Sequence, residues 1–431
     1  MKIKTTLINN CFIFFFLLLL GATVFYRSFT VFFAQDDFIL ITEFSQNNLT
    51  TDVKNAIGPP DITHWRPMHN LYFLTTGNMF HKNYFGYHLV IILIHTVTGF
   101  LIFKIITEII KRKSASLISS LIYVIHPVHF ISIFWISGAA TLLGPILFLL
   151  SFYTFLKNRI NLSLLFFTLS LLASEAMIFA SLIFPVYQYL FTKKIDIAFL
   201  KKITLILATF LPLRLIFLTP KTTFEAYPIS LSPKIVSALT YYIARIAGFI
   251  ENATAFPVSI LLAIWLLILT GVFIINIKKM FLNFRAILFF ASIILIGLLP
   301  FIFLPTHLSP HYMNLSVFGF SAIAALIVSK MRLSVMFLAV AVFVITSTLS
   351  SAKIQQSHWV VKRSNIAKHY INSIEDTNIP RDSTIVFNDS YISSSFEAYI
   401  SLGTGKALDF WFRDKNYKYC FTAFESCEDL Y

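Results

Sequence analysis

The sequence predicts an all-α polytopic membrane protein: a bundle of about eleven transmembrane helices, a long first outer loop and a small mixed α/β tail. Three observations carry that expectation. Of 431 residues, 57% are hydrophobic and only 13% charged, with a mean hydropathy of +0.77. Lys and Arg gather in short stretches between apolar runs, and past residue 350 the composition turns ordinary. A formal charge of +14 is of the size a nucleic-acid binder carries, but its placement is that of the positive-inside rule. The charge is topological, and nucleic acid is excluded.

The first run, Cys11 to Phe33, is long enough to cross a bilayer, and Lys2 and Lys4 hold the N-terminus in the cytoplasm. No small-x-small cleavage site precedes Gln35, so this run reads as a retained span. Further apolar runs lie near 86–109, 115–131, 138–156, 161–177, 178–192, 203–219, 254–276, 286–305, 314–329 and 333–350. Several are short, and 161–192 also reads as a re-entrant hairpin. Six basic clusters separate the runs: Lys111–Arg112–Lys113, Lys157 with Arg159, Lys193–Lys194, Lys201–Lys202, Lys278–Lys279 and Lys330 with Arg332. Eleven crossings put all six in the cytoplasm. The expected place is the cytoplasmic (inner) membrane, multi-pass, with the C-terminal domain extracytoplasmic.

Three regions then remain outside. The loop 34–85 is polar and aromatic, with Gly58-Pro59-Pro60 as a turn. Residues 220–252 carry Pro220, Pro228 and Pro233, then an amphipathic stretch through Tyr241, Tyr242 and Arg245 suited to the interface plane. Residues 1–350 form the expected membrane domain and 351–431 a small outer domain, with a helix at 359–375 and a strand at Ser383–Phe387. There Cys420 and Cys427 are spaced for a small disulfide loop, or else are two free thiols. Tandem repeats, Gly-rich phosphate loops and CxxC pairs are absent.

The chemistry begins at Asp36 and Asp37, adjacent carboxylates where the first run ends. Acids are costly at the hydrocarbon boundary, and one at the mouth of a membrane cavity is a candidate general base. His64-Trp65-Arg66-Pro67, with His69 and Asn70, offers a guanidinium for phosphate or, equally, an interfacial anchor. His88 and His95 share one face of the second run. His126-Pro127-Val128-His129 reads as a Pro-turned interfacial segment or, beside carboxylates, as a metal ligand pair. Glu175 inside an apolar hairpin needs a partner, and Arg214 is the candidate. His307, His311 and Tyr312 sit in a later outer turn. Asp36, Asp37, His64, Arg66, His88, His126, His129, Glu175, Arg214, His307 and His311 map to the outer side at one membrane depth, which predicts a single cavity holding an anionic substrate against a base.

In this order, Asp36-Asp37, Trp65-Arg66-Pro67, Gly86-Tyr87-His88 with His95, His126-Pro127-Val128-His129, Trp135-Ile136-Ser137-Gly138 with Leu142-Leu143, and Glu175 resemble one family. It is the membrane half of the transmembrane and tetratricopeptide-repeat-containing O-mannosyltransferases and their bacterial relatives, within the GT-C superfamily with the protein O-mannosyltransferases. Tyr312 to Gly319-Phe320 looks like that family's later signature. The resemblance spans about residues 30–325 and implies a GT-C-type bundle. It also implies an inverting glycosyltransferase, moving mannose or a similar hexose from a polyprenyl-phosphate donor to a protein, lipid or glycan acceptor on the outer face.

By that likeness Asp36 is favoured as the base with Asp37 in support, and Arg66 neutralises donor phosphate. His64, His88, His126, His129, Glu175, Arg214, His311 and Tyr312 line the substrate. The chain departs from the family where Ser174-Glu175 replaces Lys-Glu, where His311 replaces an Arg, and where about 80 unrelated residues replace the repeats. No cofactor is required; some relatives bridge acid and phosphate with a divalent metal, which stays open here. Two other classes compete. A lipid or polysaccharide transporter would show internal repeats and mid-membrane charges, and a non-catalytic scaffold would tolerate loss of both carboxylates.

Overall fold

The computed structural model describes residues 2–45, 48–58, 65–217, 229–250 and 256–427. It is mostly helical, at 76%, and consistent with an all-α membrane protein. In chain order the helices are α1 (Lys2–Val24), α2 (Asp36–Ser45), α3 (Leu49–Ile57), α4 (Pro67–Phe80), α5 (Tyr84–Ile110), α6 (Lys113–Val124), α7 (Phe130–Phe134) and α8 (Ala140–Leu156). There follow α9 (Ile160–Ala173), α10 (Met177–Ala180), α11 (Ile183–Tyr187), α12 (Ile197–Ile216), α13 (Lys234–Ile246), α14 (Phe256–Ile275), α15 (Ile277–Phe281) and α16 (Phe284–Ile302). The last are α17 (Asn314–Val328), α18 (Leu333–Ser357), α19 (Trp359–Thr377), α20 (Ser395–Ser401) and α21 (Lys406–Trp411).

Helix occupies each of the eleven predicted runs, but the runs are unequal. Among the described residues six segments are long and apolar enough to cross a membrane: Tyr84–Ile110, Ile136–Leu156, Val258–Ile275, Phe284–Ile302, Pro310–Val328 and Leu333–Ser357. A seventh is the pair α6 and Pro127–Phe134, bent by 41° where Pro127 removes a backbone donor. The first run is cut short: α1 ends at Val24, and Tyr26–Thr30 is a 3-10 turn. Run 178–192 is segmented into α10, α11 and a π turn.

Three basic clusters mark helix ends. Lys111, Asn158 and Lys193 each adopt a left-handed backbone (φ 61°, 58° and 58°) that stops α5, α8 and the π turn after α11. The α5–α6 and α8–α9 pairs then pack side by side.

The predicted loop 34–85 is a correction: α2, α3 and α4 fill most of it as short helices. Asn48 caps α3 through a 2.9 Å bond from Thr51 N–H, and Pro67 opens α4 at a position where a missing N–H costs nothing. Helix α18 also runs through the expected 350/351 boundary to Ser357, so the C-terminal unit begins at His358.

That unit holds α19, α20, α21 and two parallel strands, β1 (Thr384–Phe387) and β2 (Lys418–Phe421), joined through the two short helices. Cys420 on β2 is disulfide-bonded to Cys427. Cys11 on α1 is free and exposed. The unit shares one apolar core with the bundle, where Phe33 meets Phe410 at 5.7 Å between ring centres. It docks on the chain just before α2: Gln35 N–H donates to Ser401 O at 3.0 Å and Phe32 N–H to Ser364 Oγ at 2.7 Å.

Candidate functional site

The two carboxylates at the start of α2 have opposite circumstances. Asp37 is buried, and its oxygens are saturated: Oδ1 accepts from Ser137 N–H (2.7 Å) and Ser137 Oγ (2.6 Å), Oδ2 from Ala34 N–H (2.9 Å). It therefore caps the 3-10 turn Ile136–Ala139 that feeds α8. Burial pushes its carboxyl up to about 7, against the hydrogen bonds from Ser137 and Ala34. Asp36 is half-buried, and its carboxylate accepts no hydrogen bond among the described residues. Burial pushes it up to about 6, with the charge of Arg363 on α19 drawing it back.

Position 35 sets the direction of that acid. Gln35 is left-handed (φ 58°), a conformation costly for a residue with a Cβ. The C-terminal unit over-determines it: besides the Ser401 bond, Gln35 Oε1 accepts from Arg363 Nη1 at 3.0 Å. Arg363 is in turn held by Glu397 on α20 at 3.1 and 3.2 Å. Gly403 (φ +57°) lies so close that a Cβ there would stand 2.5 Å from Gln35 O.

An aromatic wall adjoins the carboxylates. Trp135 Nε1 donates to Ala34 O at 3.4 Å, and its ring faces Trp359 at 5.2 Å and His311 at 6.5 Å. His311 is buried, with Nδ1 2.6 Å from Ser309 Oγ and Tyr312 at 4.3 Å between ring centres. Tyr312 stacks on Phe301 at 4.4 Å. Arg66, His307 and His358 are the charged and titratable neighbours of His311.

Beyond His311 lies the ionic group. Arg66, at the head of α4, grips Glu175 through Nε (3.0 Å) and Nη2 (2.7 Å). Arg214 Nη2 on α12 approaches the same carboxylate at 3.8 Å. Two guanidiniums and a paired hydrogen bond thus face one carboxylate, which offsets the cost of holding that charge away from water. The Glu175–Arg214 pairing agrees with expectation. For Arg66 the reading changes, because the fork expected to hold phosphate is engaged by Glu175. Two guanidiniums on one carboxylate leave one net positive charge.

The remaining histidines divide differently from the single cavity expected. His88 is buried with Nδ1 facing Ile133 O and Nε2 facing Val31 O, both at 3.0 Å, so it ties α5 to two backbone turns. His126 is likewise used on both sides, by Ile246 O (3.0 Å) and Val128 N–H (3.2 Å). Neither has a ring nitrogen left for substrate, which corrects their expected role. His129 is deep: Nδ1 lies 2.6 Å from Asn314 Oδ1, and its ring packs against His95 and Tyr123, both at 4.5 Å.

His64 lies outside the described residues. Among the described residues no group of three or more His, Cys, Asp or Glu is placed to hold a metal ion. The His126–His129 pair in particular gathers no carboxylate.

Several residues here were not singled out as site residues from the sequence. Asn314 joins His311 O (2.9 Å), Thr141 O (2.8 Å) and His129, locking the Pro310–Met313 turn to α8. A lone amide at the start of an apolar run was the available signal. Ser137 stands in the Trp135-Ile136-Ser137-Gly138 motif, but its partner lies 100 residues away; Gln35 and Arg363 carry no pattern of their own and pair across 328 residues. What the arrangement offers chemically is an uncommitted acid beside an aromatic wall, bounded by a cationic cluster. Compared with known proteins, the chain matches no family model and no curated protein.

Proposed function

We propose that this protein is an inverting membrane glycosyltransferase that draws a hexose from a polyprenyl-phosphate donor, with Asp36 as general base. The observation that carries the reading is the contrast between the two carboxylates. Asp37 is spent on Ser137 and Ala34, whereas Asp36 has a raised pKa, an uncommitted carboxylate and an aromatic wall beside it. Such an acid is matched to taking a proton near neutral pH.

In the proposed step Asp36 removes the proton from an acceptor hydroxyl, and the acceptor oxygen bonds to C1 of the sugar. The C1–O bond to phosphate breaks on the opposite face, and polyprenyl phosphate leaves with the electron pair. Inversion follows from the single displacement. Trp135, Trp359 and Tyr312 supply flat surfaces for a sugar ring, and the Arg66–Glu175–Arg214 group adds positive potential at the rim. The outer unit, packed on Gln35, is where an acceptor would be read. Membrane type and orientation belong to this proposal: six basic clusters support an inner membrane with the site outside.

The test is glycan profiling of a knockout strain complemented with wild-type, Asp36→Asn or Asp37→Asn chains, with protein levels measured alongside. Asp36→Asn is expected to lose the transferred sugar at normal abundance. A full glycan complement with Asp36→Asn would remove Asp36 as base, and an unchanged profile in the knockout itself would remove the transferase reading.

A further inference from the structure

Around His358, next to Trp359 in the chain, runs an apolar groove walled by Val128, Phe130, Ile131, Phe249 and Ile354. Three nitrogen groups meet it: Arg245 from α13, Lys353 from α18, and His358 at the junction with α19. Each keeps donor capacity that meets no acceptor among the described residues. Arg245 spends Nη1 on Phe249 O (2.7 Å) and lays its guanidinium over Tyr241, but its Nε is buried with no partner among the described residues. Lys353 is exposed and has neither a hydrogen bond nor an ion pair among the described residues.

His358 is only 8% exposed, and its Nδ1 accepts from Val360 N–H at 3.3 Å. In a neutral ring the proton must then be on Nε2, which is buried and has no partner among the described residues. Neutrality follows from burial, which lowers the His358 pKa to about 4. No acidic residue lines the groove among the described residues.

Buried donors left without acceptors are costly, and a guanidinium in apolar surroundings more so. The missing component is an anion attached to something apolar. We propose that this groove binds the phosphate of an isoprenoid monophosphate, with Arg245, Lys353 and His358 Nε2–H as its donors and the first isoprene units along the apolar wall. The placement suits the transferase reading, on which the lipid's identity rests. His358 directly precedes Trp359, whose ring touches Trp135 and lies under Arg363 at 5.4 Å, the residue whose charge acts on Asp36. A sugar leaving phosphate in the groove would cross that tryptophan pair toward the base. Arg66, already gripped by Glu175, is then not needed as the phosphate ligand.

The experiment uses the full chain in nanodiscs of neutral lipid and native mass spectrometry with farnesyl monophosphate, farnesol and inorganic phosphate as probes. Farnesyl monophosphate is expected to bind, with farnesol at least about tenfold weaker, as charged hydrogen bonds of this kind imply. Inorganic phosphate should compete poorly. The double variant R245Q/K353Q should lose about tenfold or more in affinity.

Equal binding of farnesol and its phosphate, or an unchanged double variant, would overturn the assignment. The probe comparison on wild-type protein decides it even where a variant fails to fold. Binding here without any sugar transfer would defeat the transferase reading alone. Transfer that survives loss of groove binding would defeat this proposal alone.

Discussion

At the scale of single residues, what distinguishes Asp36 from Asp37 is who donates to them. Replacing Asp37 by Asn removes an acceptor oxygen from a buried site where Ser137 and Ala34 supply three donors. That change should cost about 1–3 kcal/mol and lower the thermal midpoint, while Asp36→Asn leaves the midpoint close to wild type. Equal midpoints for the two variants would refute this division of labour. A pH profile tests the same pair. The folded chain holds these protons more tightly than the unfolded chain, whose Asp titrates near about 3.9. Stability from this source is therefore highest at low pH and declines as pH rises from about 4 toward 7. Activity should run the other way, since a base must be ionised: the transfer rate rises through about pH 6. A rate flat between pH 5 and 8 would count against Asp36. Sequence alone placed both acids at the end of the first run, and paired Glu175 with Arg214 because a charge in an apolar hairpin needs a counter-charge. Only the family likeness favoured Asp36 over Asp37; the residues themselves gave no ranking, since their neighbours come from the Ile136–Ala139 turn and α19.

At the scale of elements, the site depends on short connections rather than on the long helices. The left-handed Gln35, the Ile136–Ala139 turn and the Pro310–Met313 turn each present a polar group at one end of the bundle. Gly403 is a contact through which the C-terminal unit seats on the first of these. Gly403→Ala would meet Gln35 O at 2.5 Å in a backbone conformation that L side chains resist. It should loosen α20 and α21 from the bundle and reduce transfer even though no catalytic group changes. Hydrogen exchange over residues 395–411 would show this as faster exchange with α5 unaffected; identical protection would contradict it. None of this was legible from helix periodicity, because a turn's hydrogen bonds do not repeat. The 34–85 stretch shows the same gap: its polar composition hid three short helices whose apolar faces are satisfied by α2–α4 packing.

At the scale of the whole molecule, the topology drawn from the basic clusters makes a labelling prediction. In a Cys11→Ser background, Tyr391→Cys (95% exposed) should react with an impermeant maleimide from outside intact cells. Leu282→Cys (87% exposed), beside Lys278–Lys279, should react only after permeabilisation. The reverse pattern would invert the chain and place the site in the cytoplasm. Cys420 and Cys427, joined in the outer unit, should stay unlabelled until reduced. What the sequence by itself determined was the solvent of each segment: apolar length and basic punctuation are local properties, so membrane character, the helical runs and the α/β tail could be read residue by residue. What only the tertiary structure decided was which polar groups are satisfied. Whether Asp36 or Asp37 is free, whether Arg66 is gripped, and whether Arg245 and His358 lack acceptors depend on partners far away along the chain, and burial makes each of those pairings energetically decisive.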